Sequence, residues 1–339
     1  MNMKEEQNWQ KQTVPLENSF NEMDREPNIS YFGQFGILLG FIGAGLFIGS
    51  LLAIITWTLM TGGGLLTLGR DLLKPQYANA AKVIQLISTI FTFFVPAYFY
   101  ALIVNKKPLQ QLGFRRLATV KQILLVIIIA ILGLLLSGAL SEINMLIPIS
   151  KKMAATFQKW EDNYTEQVML MANMKNLGDY FITLLVIALV PAIVEETLFR
   201  GGFQQIFEKW FRNPWMAIIV TSIIFSAIHF SYYGFLPRLA LGIMLGLLFY
   251  YSRNIWLNIL MHFLNNGIAV TQLYIITRNG KLSKEALDDN FHLGYTSFIV
   301  AFFLIVLLYA LFKSFKKESE KIGADKIDNM YSPDDNPFA

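Results

Sequence analysis

The chain has no cysteine, only three histidines and little charge for its length. Without cysteine there is no disulfide, no thiolate nucleophile and no cysteine-ligated metal. Charged residues make up 15% of the 339 positions against 54% hydrophobic ones, with a mean hydropathy of +0.45, too apolar for an ordinary soluble domain. The composition is that of a membrane protein. Lys and Arg exceed Asp and Glu by 28 to 24, but the basic residues cluster between apolar runs, where membrane orientation accounts for them. Nucleic acid is therefore not an expected partner; the lipid bilayer is.

What the chain does have is apolar length. The sequence predicts an all-α, polytopic integral membrane protein of about eight transmembrane helices: 35–60, 83–104, 123–147, 180–203, 214–230, 238–251, 255–276 and 297–312. A polar tail, 1–32, precedes them and carries no apolar run of the signal-peptide kind. Residues 33–178 hold the first three spans and an outer loop, 150–179, whose pattern suits an amphipathic surface helix. A core unit, 179–275, follows, and 276–339 supplies the last span and a polar tail. Basic clusters at Lys106, Lys107, Arg115, Arg116 and Lys121, at Lys209 and Arg212, and at Lys313, Lys316 and Lys317 set the expected orientation. They place both termini in the cytoplasm, with a bacterial inner (plasma) membrane as the expected location.

Several glycine patterns call for a bland reading. Gly36 and Gly40, and again Gly242 and Gly246, have GxxxG spacing and are expected to let helices pack closely. The run TGGGLLTLG lacks GK[ST] and joins no strand to a helix, so it is not a phosphate loop. No internal repeat accompanies the buried charges, which argues against an ion-coupled transporter.

One stretch departs from the apolar background. PAIVEETLFRGG, from Pro191 to Gly202, places Glu195, Glu196 and Arg200 inside the fourth span. A charge near the bilayer centre costs about 2.5–3.5 kcal/mol even on mild scales, so it usually faces protein or a wet cavity and has a function there. On a helix Glu196 and Arg200 are i and i+4 and can pair. Glu195 is turned about 100° away and is free to act as a base. Two further i, i+4 pairs follow: Phe225 with His229, and His262 with Asn266. Singly, each of these polar residues is most simply read as interhelical hydrogen bonding, and Phe225 as core packing. His292, in a polar loop, reads as a surface residue.

Together, Glu195-Glu196-x-x-x-Arg200, Phe225-x-x-x-His229 and His262-x-x-x-Asn266 resemble, in order, the three motifs of the CPBP family, the CAAX-prenyl endopeptidases and bacteriocin-processing or immunity proteins. The likeness runs from about 177 to 272, including LGIMLGLLFYYSRNIWLNILMHFLNN between the second and third motifs. It implies an intramembrane endopeptidase with its catalytic core in the C-terminal half, acting on a peptide or membrane-protein substrate. By this resemblance Glu195 and His229 activate a water, His262 and Asn266 stabilise the oxyanion, and Glu196 and Arg200 support them. A carboxylate sheltered from water is a better base, and a preorganised donor lowers an acyl-transfer barrier by about 3 kcal/mol.

Two alternatives stay open at this stage. Members are often described as metalloproteases, and Glu195, His229 and His262 form a two-His, one-carboxylate zinc set on paper. The chain lacks HExxH and an asparagine is an odd companion for zinc, so metal-independent hydrolysis is the favoured form. The other alternative is a non-catalytic immunity or scaffold protein that keeps the fold. Straight helices also leave a mismatch, with Glu195 about 10 Å and His229 about 20 Å from the cytoplasmic end. A shifted helix start, tilt or a broken span five is needed to bring them level.

Overall fold

The computed structural model describes residues 29–115, 118–172, 174–280 and 294–322. The polar tail up to residue 28, Arg116, His292 and residues 323–339 lie outside the described residues. Among the described residues every regular element is helical, so the all-α, polytopic membrane architecture is the one observed.

Helix α1 spans Tyr31–Thr61, and the glycine-rich turn leads to the short α2, Leu65–Asp71. Helix α3, Pro75–Val104, and α4, Val120–Met145, are the next two long apolar helices. The α4 start is fixed by a capping box in which Thr119 and Gln122 each accept from the other's backbone N–H. Helix α5, Lys151–Met171, occupies the segment expected to form an amphipathic helix. Then come α6, Leu177–Phe211, α7, Pro214–Ala227, α8, Phe235–Ser252, α9, Ile255–Arg278, and α10, Thr296–Ile322.

Seven of these helices are long and apolar enough to cross a membrane, not eight. The expected fifth span is α7, with 14 residues. At 1.5 Å per residue it is about 21 Å long, short of the hydrocarbon thickness of about 30 Å. It stops early because the chain reverses just past it, at Phe230, whose φ of 48° is left-handed.

The fourth span differs in the other direction. It continues past Phe203 to Phe211, and this removes the mismatch in depth. Glu195 is 16 residues from Phe211, and His229 is 15 residues from Pro214 at the same end of the neighbouring helix. Both therefore lie about 22–24 Å in.

The first glycine pair does not pack as expected. A Cβ at Gly36 or Gly40 would meet nothing within 4 Å, whereas one at Gly45 would strike the Phe91 carbonyl and one at Gly49 would touch Ser88 and Phe91. The buried stripe of α1 runs through Gln34, Leu38, Gly45, Gly49, Ala53 and Trp57, and Gly36 and Gly40 lie off it. Gly242 and Gly246 do make the expected close approach, against Ser222 and Ile218 of α7.

Candidate active site

The site begins with irregularities in α6. Wide π-helical turns occupy Leu184–Leu189, just ahead of Pro191, and Phe199–Gln204, over the pair Gly201 and Gly202. Proline removes one backbone donor, and a widened turn lets the helix continue past it. The second turn has a geometric effect. Positions four apart on an α-helix drift by about 40° per step, and a wider turn offsets that drift. Glu196, Arg200, Gln204 and Glu208 accordingly form one continuous polar line.

That line is bonded as two pairs, each also tied to α8. Arg200 Nη1 donates to Glu196 Oε1 at 2.9 Å and Arg200 Nη2 to the Gly242 carbonyl at 3.1 Å. Gln204 Nε2 donates to Glu208 Oε1 at 2.9 Å and to the Gly246 carbonyl at 3.0 Å, and Arg253 closes the ladder on Glu208 Oε2 at 2.6 Å. The two glycines of α8 therefore do more than pack. By having no side chain, they leave their carbonyls open to the side chains of α6. Both ends of the Glu196–Arg200 pair are fully buried.

Glu195 stands apart from this ladder. Its side chain is 13% exposed where that of Glu196 is 0%. Its Oε2 has no hydrogen-bond partner in the protein. The nearest cationic candidate, His262 Nε2, is 3.9 Å away, too long for a hydrogen bond. The carboxylate faces the site without being locked.

His262, on α9, is buried and turned by Glu196. Its Nδ1 lies 2.8 Å from Glu196 Oε1, which leaves Nε2 directed towards Glu195. Asn266, one turn further, is more loosely held. Its amide donates to the Ile187 carbonyl in the first π-turn at 3.5 Å and its oxygen accepts from Asn265 at 3.2 Å.

His229 follows α7, in the turn before Phe230. Its Nδ1 sits 2.7 Å from the Phe225 carbonyl, so Nδ1 carries the proton and Nε2 is left as an acceptor. Phe225 is the hub around which these groups are arranged. The His229 ring lies 5.1 Å and the His262 ring 5.8 Å from its centroid, both edge-on, and the Arg200 guanidinium lies over it at 5.0 Å. Core packing, the reading given to Phe225 from sequence, holds, and the core it packs is the site itself.

The zinc set does not fit this arrangement. Among the described residues no three His, Asp or Glu side chains converge on a common point. The Nδ1 atoms of both histidines are bonded to protein oxygens, an arrangement that metal-ligating imidazoles also use, so the misfit lies in how the three groups are placed and not in those bonds. Among the described residues Glu195, His229 and His262 are not placed as ligands of one ion.

Comparison with known proteins bears on the same region. Residues 177–268 match a family model described as type II CAAX prenyl endopeptidase Rce1-like. This segment resembles that family. An uncharacterized 24.3 kDa protein of Escherichia coli is 35% identical over 63 residues, 18% of this chain and 29% of that protein, so the match spans under a third of the relative's length. No solved structure matches.

The Rce1-like segment contains all seven motif residues, and of the six given roles in the reaction the fold brings five, Glu195, Glu196, Arg200, His229 and His262, around Phe225 and the ladder. Asn266 lies beyond, near Ile187. Sequence reading missed Asn258, which is fully buried and donates to the Leu245 carbonyl at 2.6 Å and to Glu196 Oε2 at 3.4 Å. The signal was present, because Asn258, His262 and Asn266 are spaced by four.

Several supports of the Rce1-like segment come from outside it. Asn144 of α4 donates to the Tyr232 carbonyl at 2.9 Å and accepts from Leu236 N–H at 3.3 Å. Glu161 of α5 accepts from Ser231 Oγ at 2.8 Å and from Tyr233 N–H at 3.2 Å. The Gly113 carbonyl takes the first amide of α9, at Ile255, at 2.8 Å. The loop after His229 is thus held from two sides.

Proposed function

We propose that this chain is an intramembrane endopeptidase that hydrolyses a peptide bond of a peptide or membrane-protein substrate without a covalent intermediate. Glu195 is the general base, assisted by the acceptor Nε2 of His229. A water loses a proton to this pair as its oxygen attacks the scissile carbonyl carbon. His262, as an imidazolium with its Nδ1–H on Glu196, donates from Nε2 to the oxygen that becomes negative, together with the amide of Asn266. The proton then passes to the departing amine as the C–N bond breaks, which leaves one new carboxyl and one new amino end. Glu196, Arg200 and Asn258 hold His262 in place.

The observation that carries this reading is the division of labour between two adjacent carboxylates. Glu196 accepts three hydrogen bonds, from Arg200, His262 and Asn258, while Glu195 Oε2 accepts none. A buried carboxylate oxygen left unmatched costs stability, and a role in proton transfer gives it a use. The Rce1-like match over 177–268 supports the same reaction class.

The test is cleavage of a quenched-fluorescent peptide library by detergent-purified protein and its Glu195→Gln variant. Cleavage by the first and not the second supports the reading. Equal cleavage by both removes Glu195 from the role of base, and cleavage by neither, in protein that is folded and inserted, favours a non-catalytic immunity or scaffold role.

A further inference from the structure

The polar line on α6 has a gap at its middle. Arg200 leans back to Glu196 and Gln204 leans forward to Glu208, so these two side chains draw apart. Positions four apart are separated by about 6 Å of helix rise, twice the reach of one hydrogen bond. Three polar atoms border the gap and have no hydrogen-bond partner among the described residues: Arg200 Nε, Gln204 Oε1, and Thr221 Oγ1 of α7. All three residues are at most 1% exposed.

A hydroxyl on a helix most simply bonds to the carbonyl four residues back, and Thr197, Ser222 and Thr271 do so at 2.7 Å. Thr221 does not. Its place follows from its neighbours on α7, where Ile218, Thr221, Ser222 and Phe225 share one face. A Cβ at Gly246 would lie 2.8 Å from Ile218 Cγ2 and 3.2 Å from Gln204 Oε1, so Ile218 marks the level of Gln204. The Arg200 guanidinium lies over Phe225, which marks the level of Arg200. Thr221 is one turn from each, between the two. Ser222 takes the edge of this face against Gly242 of α8, which turns Thr221 to the α6 side.

Buried polar groups left unmatched each cost stability, and three around one gap call for a common partner. Their chemistry specifies it. Arg200 Nε only donates, Gln204 Oε1 only accepts, and a threonine hydroxyl does either. An anion is repelled by the Gln204 oxygen and a cation by the guanidinium. A water molecule satisfies all three: it accepts from Arg200 Nε–H, donates to Gln204 Oε1 and makes its third bond with Thr221, the usual complement of a buried water. The gap falls within the wide turn Phe199–Gln204, a kind of turn that recurs at functional sites.

We infer that Arg200, Gln204 and Thr221 bind one internal water, which joins the two pairs into a single chain. That chain runs from Arg253, whose side chain is 40% exposed, through Glu208 and Gln204 to Arg200, Glu196 and His262. Gln204 and Thr221 are thereby positioning residues, since they steady the guanidinium that anchors the carboxylate on which His262 is oriented. The water site rests on the fold, and its effect on catalysis rests on the endopeptidase reading.

The experiment compares wild type, Thr221→Val, Thr221→Ser, Gln204→Met and the double variant Thr221→Val/Gln204→Met in one detergent. Valine keeps the shape of threonine and removes the hydroxyl. An unmatched hydroxyl is a burden, so its removal would raise the unfolding midpoint; one that holds a water is a support. The midpoint of Thr221→Val is expected to fall by a few degrees. Its kcat should drop by about tenfold at unchanged KM, below the roughly 100-fold that a 1 Å misplacement costs. Thr221→Ser keeps the hydroxyl and should keep the wild-type kcat. In the Gln204→Met background Thr221→Val should cost little more, because the water has already lost a partner. A crystal structure at a resolution that shows ordered water should place one within hydrogen-bond distance of all three atoms.

A midpoint raised or unchanged in Thr221→Val, strict additivity with Gln204→Met, or no water at that place overturns the site. Coupled loss of stability with kcat unchanged keeps the water and overturns the positioning role. Coupled loss of stability in a protein that cleaves no peptide keeps the water and removes the endopeptidase reading alone.

Discussion

His262 Nδ1 lies 2.8 Å from Glu196 Oε1, the same oxygen that takes Arg200 Nη1 at 2.9 Å. One buried carboxylate oxygen therefore sets both the orientation of a site histidine and the anchoring of a guanidinium. Its neighbour in sequence, Glu195, sets neither.

Replacing these two glutamates should separate stability from activity. Glu196→Gln leaves Arg200 without its counter-charge in a fully buried position, and breaking such a pair costs about 3–5 kcal/mol. Its thermal unfolding in detergent should move well down, with cleavage falling as His262 loses its orienting partner. Glu195→Gln removes a group with no hydrogen bond at Oε2, so its unfolding should match wild type while kcat falls by about 100-fold or more, the usual loss with a general base. Equal melting shifts for the two would contradict the division of labour.

Asn258 should behave as a support. Asn258→Ala removes donors to the Leu245 carbonyl and to Glu196, and leaving buried acceptors unmatched costs about 1–3 kcal/mol. A double-mutant cycle with Glu196→Gln should show coupling, because both act on one network. Strict additivity would place Asn258 outside it.

The glycines give a contrast in packing. At Gly242 a Cβ would lie 2.9 Å from the Ser222 Cβ, next to the carbonyl that Arg200 uses. Gly242→Ala should destabilise by about 1–3 kcal/mol, the cost of overpacking. Gly36→Ala and Gly40→Ala enter open space and should be neutral or stabilising by about 0.5–1 kcal/mol, as alanine is the better helix former. Unfolding midpoints in one detergent compare all three.

Glu161 tests whether α5 holds the loop after His229. Glu161→Ala removes acceptors for Ser231 Oγ and Tyr233 N–H. Amide hydrogen exchange should quicken at residues 231–234 with little change in α9, since loops with few remaining bonds open locally first. Uniform acceleration across the protein would indicate general destabilisation instead.

Much of this was legible in the sequence, for identifiable reasons. Three charges in an apolar run cannot be accommodated by lipid, so Glu195, Glu196 and Arg200 stood out, and i, i+4 spacing gave the right partner for Arg200. The depth of the site was not legible. It depends on α6 continuing past Gly201 and Gly202 to Phe211, and the widened turns that carry it past Pro191 and the glycines follow no simple periodic pattern. The role of Gly36 and Gly40 was misjudged because spacing alone does not say which stripe of a helix is buried. Glu161 escaped notice because it gains its meaning from a loop between helices, where periodicity gives no guidance.

The bonds from Asn144, Glu161 and Gly113 to the loop after His229 and the start of α9 also bear on how the chain can be divided. The 177–268 stretch that resembles other proteins is not a portable module. Grafted elsewhere or expressed alone, it would keep its glutamates and histidines in sequence but lose the braces that keep two of its helix connections in register. The less recognisable N-terminal half is thus the mould in which the recognisable half sets.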